Sequence, residues 1–337
     1  MSSWIKDVPK LDLHRHVTAT MTNEFLNKLV EKYDIQTNSQ NNLNKLKNLD
    51  FTSPQEFFTH HTYARSLIRE KSDFKELSKH IVSQLEFDKI IYTELLFSPQ
   101  FYLERGFQLA EILTIFESEF KYSSTDINLI IEFSRSRDQL SAQKTFSEVK
   151  NYIESNNVKK IKGISIGGDE VNYRARPFKN LFQEAKKIDL KTIAHAGEWK
   201  GPESVWEVLE QLSVSRIIHG INSIQDNNLL AYLKNNNIPL DISISSNYST
   251  GAITKDKKHP ILDLKKRGVK ILLSTDIPGY LNITQSTEFN KLLKMGLSKK
   301  DIFEIILNTI EASITTLEEK EKMKEFLEQK KHYFFET

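Results

Sequence analysis

The 337-residue chain contains no cysteine, which excludes disulfides, thiolate zinc sites and cysteine nucleophiles together. Any metal must be held by histidine and carboxylate. Glycine and proline are sparse, at 11 and 8 residues. No glycine/serine linker, low-complexity tract or internal repeat divides the chain, so one domain over residues 1–337 is expected. No apolar run approaches the roughly 20 residues that cross a bilayer. The opening stretch, Met1 to His16, lacks the basic segment and apolar run of a secretory leader. These absences predict a cytoplasmic protein that does not engage a membrane. Charge of one sign is also missing: 47 Lys and Arg face 45 Asp and Glu, a net of +2. Nothing therefore draws nucleic acid at long range, and the expected partner is a small-molecule substrate.

What is present is a series of short Ile-, Val- and Leu-rich runs separated by helical patterns, the mark of parallel β-α units. Eight strands are predicted: Leu11–His16, Ile90–Phe97, Ile127–Phe133, Ile161–Ile166, Leu190–His195, Arg216–His219, Ile238–Ile244 and Val269–Thr275. Apolar residues at helical spacing fall between them, as in Phe178–Ile188, Val205–Leu212 and Leu229–Leu233. The pattern predicts an α/β protein with a (β/α)₈ barrel, for which 337 residues is an ordinary length. The stretch Thr22–Lys89 is too long for one crossover and carries helical patterns at Pro54–Arg69 and Asp73–Ile81. It reads as a helical insertion after strand one that caps the barrel mouth. Ser298 and Asp301 predict a capped helix through Ile302, Ile305, Ile306 and Ile310, and a last Lys/Glu-rich helix ends near Tyr333.

His14 and His16 sit two apart at the end of strand one, where the period of a strand puts both rings on one side. His195 ends strand five, His219 strand six and Asp276 strand eight. In α/β barrels the catalytic groups come from these C-terminal strand ends. The other five histidines, His60, His61, His80, His259 and His332, fall in helices or loops and receive no role. Imidazoles and a carboxylate converging at a barrel mouth suit zinc, and less exclusively iron, manganese or cobalt. Such a metal lowers the pKa of bound water to about 7 and makes a nucleophile available. His219 and Glu198 would divide the remaining work: one orients or deprotonates the water, the other moves a proton onto the group attacked.

Several segments resemble, in order and spacing, the signature blocks of the adenosine deaminase family. They are Pro9-Lys-Leu-Asp-Leu-His-Arg-His16, Tyr92-Thr-Glu-Leu-Leu-Phe-Ser-Pro99, Gly163-Ile-Ser-Ile-Gly-Gly-Asp-Glu170, His195-Ala-Gly-Glu198, Arg216-Ile-Ile-His-Gly220, Ser246-Asn247 with His259-Pro260, and Ser274-Thr-Asp-Ile-Pro278. Position by position, the resemblance implies one Zn²⁺ per chain bound by His14, His16, His195 and Asp276, with Asp276 also counted as catalytic. It implies that Glu198 protonates the purine ring nitrogen and that His219 positions and helps deprotonate the water. The backbone N–H of Gly168 would touch the purine. The implied activity is zinc-dependent hydrolytic deamination of an aminated purine or purine-like nucleoside or base, with release of ammonia.

Three positions depart from the family pattern. Thr18 replaces an acidic residue that contacts the sugar, Ala19 replaces glycine, and Ile277 replaces a second carboxylate after Asp276. A site that loses a hydrogen-bonding acceptor loses the discrimination it supplied. Thr18 and Ile277 are thus read as altered substrate-binding positions, Ile277 as an apolar wall. Arg15 is read as a surface residue or as one that reaches a phosphate or acidic group of the substrate. Asp169 and Glu170 are read as a charged start to a loop. Two alternatives remain at this stage: an amidohydrolase acting on a different C–N bond, and a catalytically inactive ligand-binding relative.

Overall fold

Strand β1 (Lys10–His16) is covered along its length, with only His16 partly open, as expected where helices cover one face of a parallel sheet and side chains of the other strands fill the other. The computed structural model describes residues 3–35, 51–156 and 158–335. Seven further strands follow: β2 (Ile90–Phe97), β3 (Asp126–Ser134), β4 (Ile161–Gly167), β5 (Lys191–Ala196), β6 (Arg216–His219), β7 (Leu240–Ile242) and β8 (Ile271–Leu273). They pair in parallel in chain order. Closure comes from a bridge between Arg15 and Asp276, in which the His16 N–H donates to Asp276 O at 2.9 Å and the Asp276 N–H to His14 O at 2.8 Å. The (β/α)₈ barrel expected from the strand pattern is thus the observed fold. Strands β7 and β8 are shorter than expected because the chain leaves the ladder early, β7 turning through Ser243 into the helix Ile244–Ser249.

Register decides what lies inside. His16 pairs with Leu96, Leu96 with Ile130, and His195 with Ile218, so these residues share the face of the histidines. Leu96, Ile130, Ile193 and Ile218 form an apolar cluster separate from the main core. Deeper lies a buried ion cluster. The Arg216 guanidinium donates to Glu94 and, at 3.3 Å, to Leu13 O, and its Nε lies 3.7 Å from Asp241 Oδ2. Glu94 also accepts from the Tyr92 hydroxyl at 3.0 Å and the Ile314 N–H at 2.6 Å. Removing one member of such a cluster strands the others in low dielectric. Glu94→Ala is therefore expected to lower the unfolding free energy by about 3–5 kcal/mol, read from urea titrations of the metal-loaded protein.

The insertion after β1 supplies the helices Asn23–Lys32, Pro54–Ser66 and Lys71–Phe87; its residues 36–50 lie outside the described set. Ser53 caps the second helix, with Pro54 at its start. That helix ends earlier than expected because Leu67 and Ile68 turn inward and are fully buried. The third helix is longer than expected and opens on a capping box between Glu70 and Asp73. Asp73 ties the pieces together, accepting from Lys32 Nζ and Tyr33 Oη at 2.6 Å each. The mouth is tight where Gly279, after β8, meets the turn after β1: a Cβ there would lie 2.2 Å from the Thr20 carbonyl. The helix Lys299–Ala312 starts on the expected Ser298–Asp301 box. Among the described residues no helix is long and apolar enough to cross a membrane.

Candidate metal and catalytic centre

Four histidines and an aspartate meet at the C-terminal ends of β1, β5, β6 and the segment after β8. His14 Nε2 lies 3.3 Å from His16 Nε2, and Asp276 Oδ1 lies 3.2 and 3.3 Å from those two nitrogens. The His195 ring centroid is 5.0 Å from that of His14 and 5.3 Å from that of His16. His14, His16 and His195 offer nitrogens within 4.8 Å of one another, as do the donor atoms of His14, His219 and Asp276. Two left-handed residues shape the cluster, His219 at φ 64° and Asp276 at φ 63°. Such backbone is disfavoured for side chains with a Cβ and is kept where surrounding structure enforces it.

The donor set fits a cation. Lone pairs of buried imidazoles converge with a carboxylate, and the Nδ1 atoms of His14 and His195 are buried without a hydrogen bond. Burial opposes a charge on Asp276, yet His14, by charge and hydrogen bond, with His219 and His16 holds its carboxyl well below the usual range. Ser246 Oγ fixes the other carboxylate oxygen at 2.6 Å. A further carboxylate, absent from the sequence expectation, lies beside the cluster: Glu132 near the end of β3, whose oxygens are 3.5 Å from His16 Nδ1 and 3.2 Å from His195 Nδ1.

Glu198 follows β5 and is 3 % exposed. Burial, with the charges of Asp276 and Glu170, raises its pKa well above the normal value, so it is held as the acid. Its Oε2 lies 3.4 Å from His219 Nε2, and its Oε1 accepts from Thr250 Oγ1 at 3.1 Å. Behind His219 runs a hydrogen-bond chain. The Ile261 N–H donates to His259 Nδ1 at 3.2 Å. Burial pushes both His259 and His219 down to about 3, so both are neutral at neutral pH. His259 then carries its proton on Nε2 and donates to Asn247 Oδ1 at 3.2 Å. The Asn247 amide is left to donate to His219 Nδ1 at 3.1 Å. The chain therefore assigns His219 the tautomer protonated on Nε2, facing Glu198 and Asp276.

Glu170 does more than start a loop. Its carboxylate accepts from the backbone N–H groups of Gly197, Glu198, Trp199 and Lys200 at 2.6–3.0 Å, and from Ser204 Oγ. One buried side chain thereby fixes the loop that carries Glu198.

A cavity of about 370 Å³ opens over the cluster. Its wall includes His16, His195, Glu198, His219 and Asp276, and also Gly168 at φ 88°. Thr18 and Ile277 are buried beside it without lining it. The Ile277 N–H turns back to Thr275 O at 2.8 Å and its side chain joins the main core, so it forms no cavity wall. Arg15 is neither on the surface nor in the cavity: it is 1 % exposed and paired with Asp12 at 3.1 Å. Phe57, Phe58 and His61 of the insertion do line the cavity. His61 donates to or accepts from Tyr280 Oη at 3.1 Å, and Trp199 packs on Phe58 with centroids 5.5 Å apart. The insertion covers the mouth as expected, but which of its residues face inward depends on helix phase that spacing within it did not reveal.

The family model described as adenosine deaminase matches residues 9–330. An adenine deaminase of Marinomonas sp. (strain MWYL1) is 28 % identical over 315 residues, covering 91 % of this chain and 92 % of that protein. An amidohydrolase from Burkholderia ambifaria, solved with bound Zn, superposes with a TM-score of 0.87 at 17 % identity, covering 98 % of this chain and 93 % of that one. The N6-mAMP deaminase of Arabidopsis superposes with a TM-score of 0.85 at 20 % identity, covering 97 % and 99 %. The two structures, at those identities, share the fold.

Proposed function

The chain belongs to the adenosine deaminase family, a family of hydrolytic enzymes acting on C–N bonds, and from that premise we propose that it deaminates an aminated purine, releasing ammonia. The observation that carries the reading is Glu198, a buried carboxylic acid held protonated 3.4 Å from a neutral His219, over a cluster of cation-binding groups. The solved amidohydrolase with bound Zn supports zinc as the metal, one per chain, with His14, His16, His195 and Asp276 as its ligands. When bound, the metal supplies Lewis acidity that lowers the pKa of a water to about 7.

The residues then divide the work. Glu198 gives its proton to the ring nitrogen beside the carbon attacked, which makes that carbon electrophilic. His219, with its proton on Nε2, donates to the attacking oxygen and orients it, the positioning part of its expected role. Asp276, ionised and fixed by Ser246, accepts a proton from the attacking water. The carbon becomes tetrahedral, the amine takes the proton held by Asp276 and leaves as ammonia, and the hydroxyl proton passes to Glu198 as the carbonyl forms. The Gly168 N–H aligns the base at the cavity wall.

Two experiments test these statements. In ¹⁸O-labelled water the product should carry the label at the carbon that lost its amine, by mass spectrometry; cleavage of any other bond contradicts deamination. Asn247→Asp accepts from both histidines and moves the His219 proton to Nδ1. It should lower kcat by roughly a hundredfold or more, as other tautomer-reversing changes do, with metal content unchanged. Unchanged kcat would return His219 to the role of base.

A further inference from the structure

Away from the metal-binding groups the cavity becomes cationic. The Pro54–Ser66 helix turns Phe57, Phe58, His61, Thr62 and Arg65 toward it, one face at helical spacing. His61 has its ring centroid 6.4 Å from that of His16, and Arg65 lies one helical turn beyond, about 6 Å further along the axis. Facing it are Ser134, Ser136 and Arg137. Their position beside Gly168 is fixed by contact: a Cβ on that glycine would meet Ser134 Oγ at 2.9 Å and Ser136 Oγ at 3.3 Å.

Charge here is out of balance. The guanidinium carbons of Arg65, Arg105 and Arg137 lie 4.0, 5.3 and 6.0 Å from the centre of one ring, Phe101. Among the described residues Arg137 pairs with Glu104. Arg105 donates to Ile68 O at 3.3 Å, and neither it nor Arg65 forms an ion pair there. Among the described residues Arg65 Nη2 reaches Thr62 Oγ1, at 3.3 Å, and its Nε is buried without a hydrogen bond. Arg65 is half-buried, and a buried donor left unused on a cation is costly unless an anion meets it. Guanidinium forks match phosphate oxygens with paired donors. A free aminopurine has nothing to offer these groups.

We propose that Arg65, Arg137 and Ser136 form a phosphate subsite, and that the substrate is a purine nucleoside monophosphate, its base toward Glu198 and its phosphate between the two arginines. This rests on the purine deaminase reading above and adds the anionic group.

The test compares kcat/KM of the zinc-loaded enzyme for adenine, adenosine and adenosine 5′-monophosphate, each also N6-methylated. Calorimetric binding of inosine 5′-monophosphate and inosine accompanies it. The monophosphate should be preferred and its product analogue should bind more tightly than inosine. Arg65→Gln should raise KM for the monophosphate roughly ten- to hundredfold relative to the nucleoside, the loss expected for hydrogen bonds to a charged group, with kcat nearly unchanged. Arg65→Lys should recover part of it. Arg137→Gln gives an independent reading should Arg65→Gln fail to fold. Adenine turned over as well as the monophosphate, or neither Gln variant changing the monophosphate-to-nucleoside ratio, overturns the subsite. If no compound yields ammonia the deaminase reading fails, and calorimetry still decides the subsite: tighter nucleotide binding lost on Arg65→Gln sustains it, and equal binding of nucleotide and nucleoside overturns it.

Discussion

Glu198→Gln is expected to reduce kcat by roughly 10²–10⁴-fold, the usual worth of a positioned proton donor, while the protein keeps its fold and its metal. The amide matches the neutral acid in shape. The Thr250 hydroxyl, which donates to Glu198 Oε1 at 3.1 Å, keeps an acceptor, and the loop stays anchored by Glu170 through its backbone. What is lost is the transferable proton of a group that burial, Asp276 and Glu170 hold in its acid form. Elemental analysis alongside steady-state kinetics checks both halves. Substantial turnover in this variant would mean another group protonates the base. Loss of metal would mean that Glu198 acts on the cluster itself.

His14→Ala should remove activity by the opposite route, through the metal. His14 is fully buried and belongs to both sets of converging donor atoms, with nitrogen 3.2 Å from Asp276 and 3.3 Å from His16. Outer partners of metal ligands are typically worth about 10–100-fold in affinity, and a direct ligand should exceed that. The variant is expected to hold well under one zinc per chain after dialysis and to regain activity only in large metal excess. Full occupancy after the same dialysis would place His14 outside the ligand set.

Strands β2 to β4 were legible as runs rich in branched apolar residues, and β1, β5 and β6, which are more polar, because their ends carry His16, His195 and His219 to one mouth. The shortened β7 and β8 were not legible, since Ile244 and Thr275 look like strand residues until the chain turns at Ser243 and at the left-handed Asp276. At the site, short-range spacing such as His14 with His16, or His195 with Glu198, carried the signal. Glu132 was missed although it lies near the end of β3 as the histidines lie near the ends of their strands; its place between Ile131 and Phe133, in the apolar half of the strand, was the available cue. Glu170 was undervalued because its partners are backbone N–H groups some thirty residues away, which leave no mark on side-chain identity. Ile277 was misplaced for a related reason: a tight three-residue turn centred on the left-handed Asp276 sends it into the core. His61 and Arg65 share the Pro54–Ser66 helix, but Arg137 follows β3, and only the folded insertion brings them together.

The most direct test of the central claim is ammonia release from aminated purines by purified protein whose zinc has been counted. The account predicts about one zinc per chain and ammonia from at least one purine, in proportion to occupancy across partly loaded samples. Full zinc occupancy with no ammonia from any of them would contradict it.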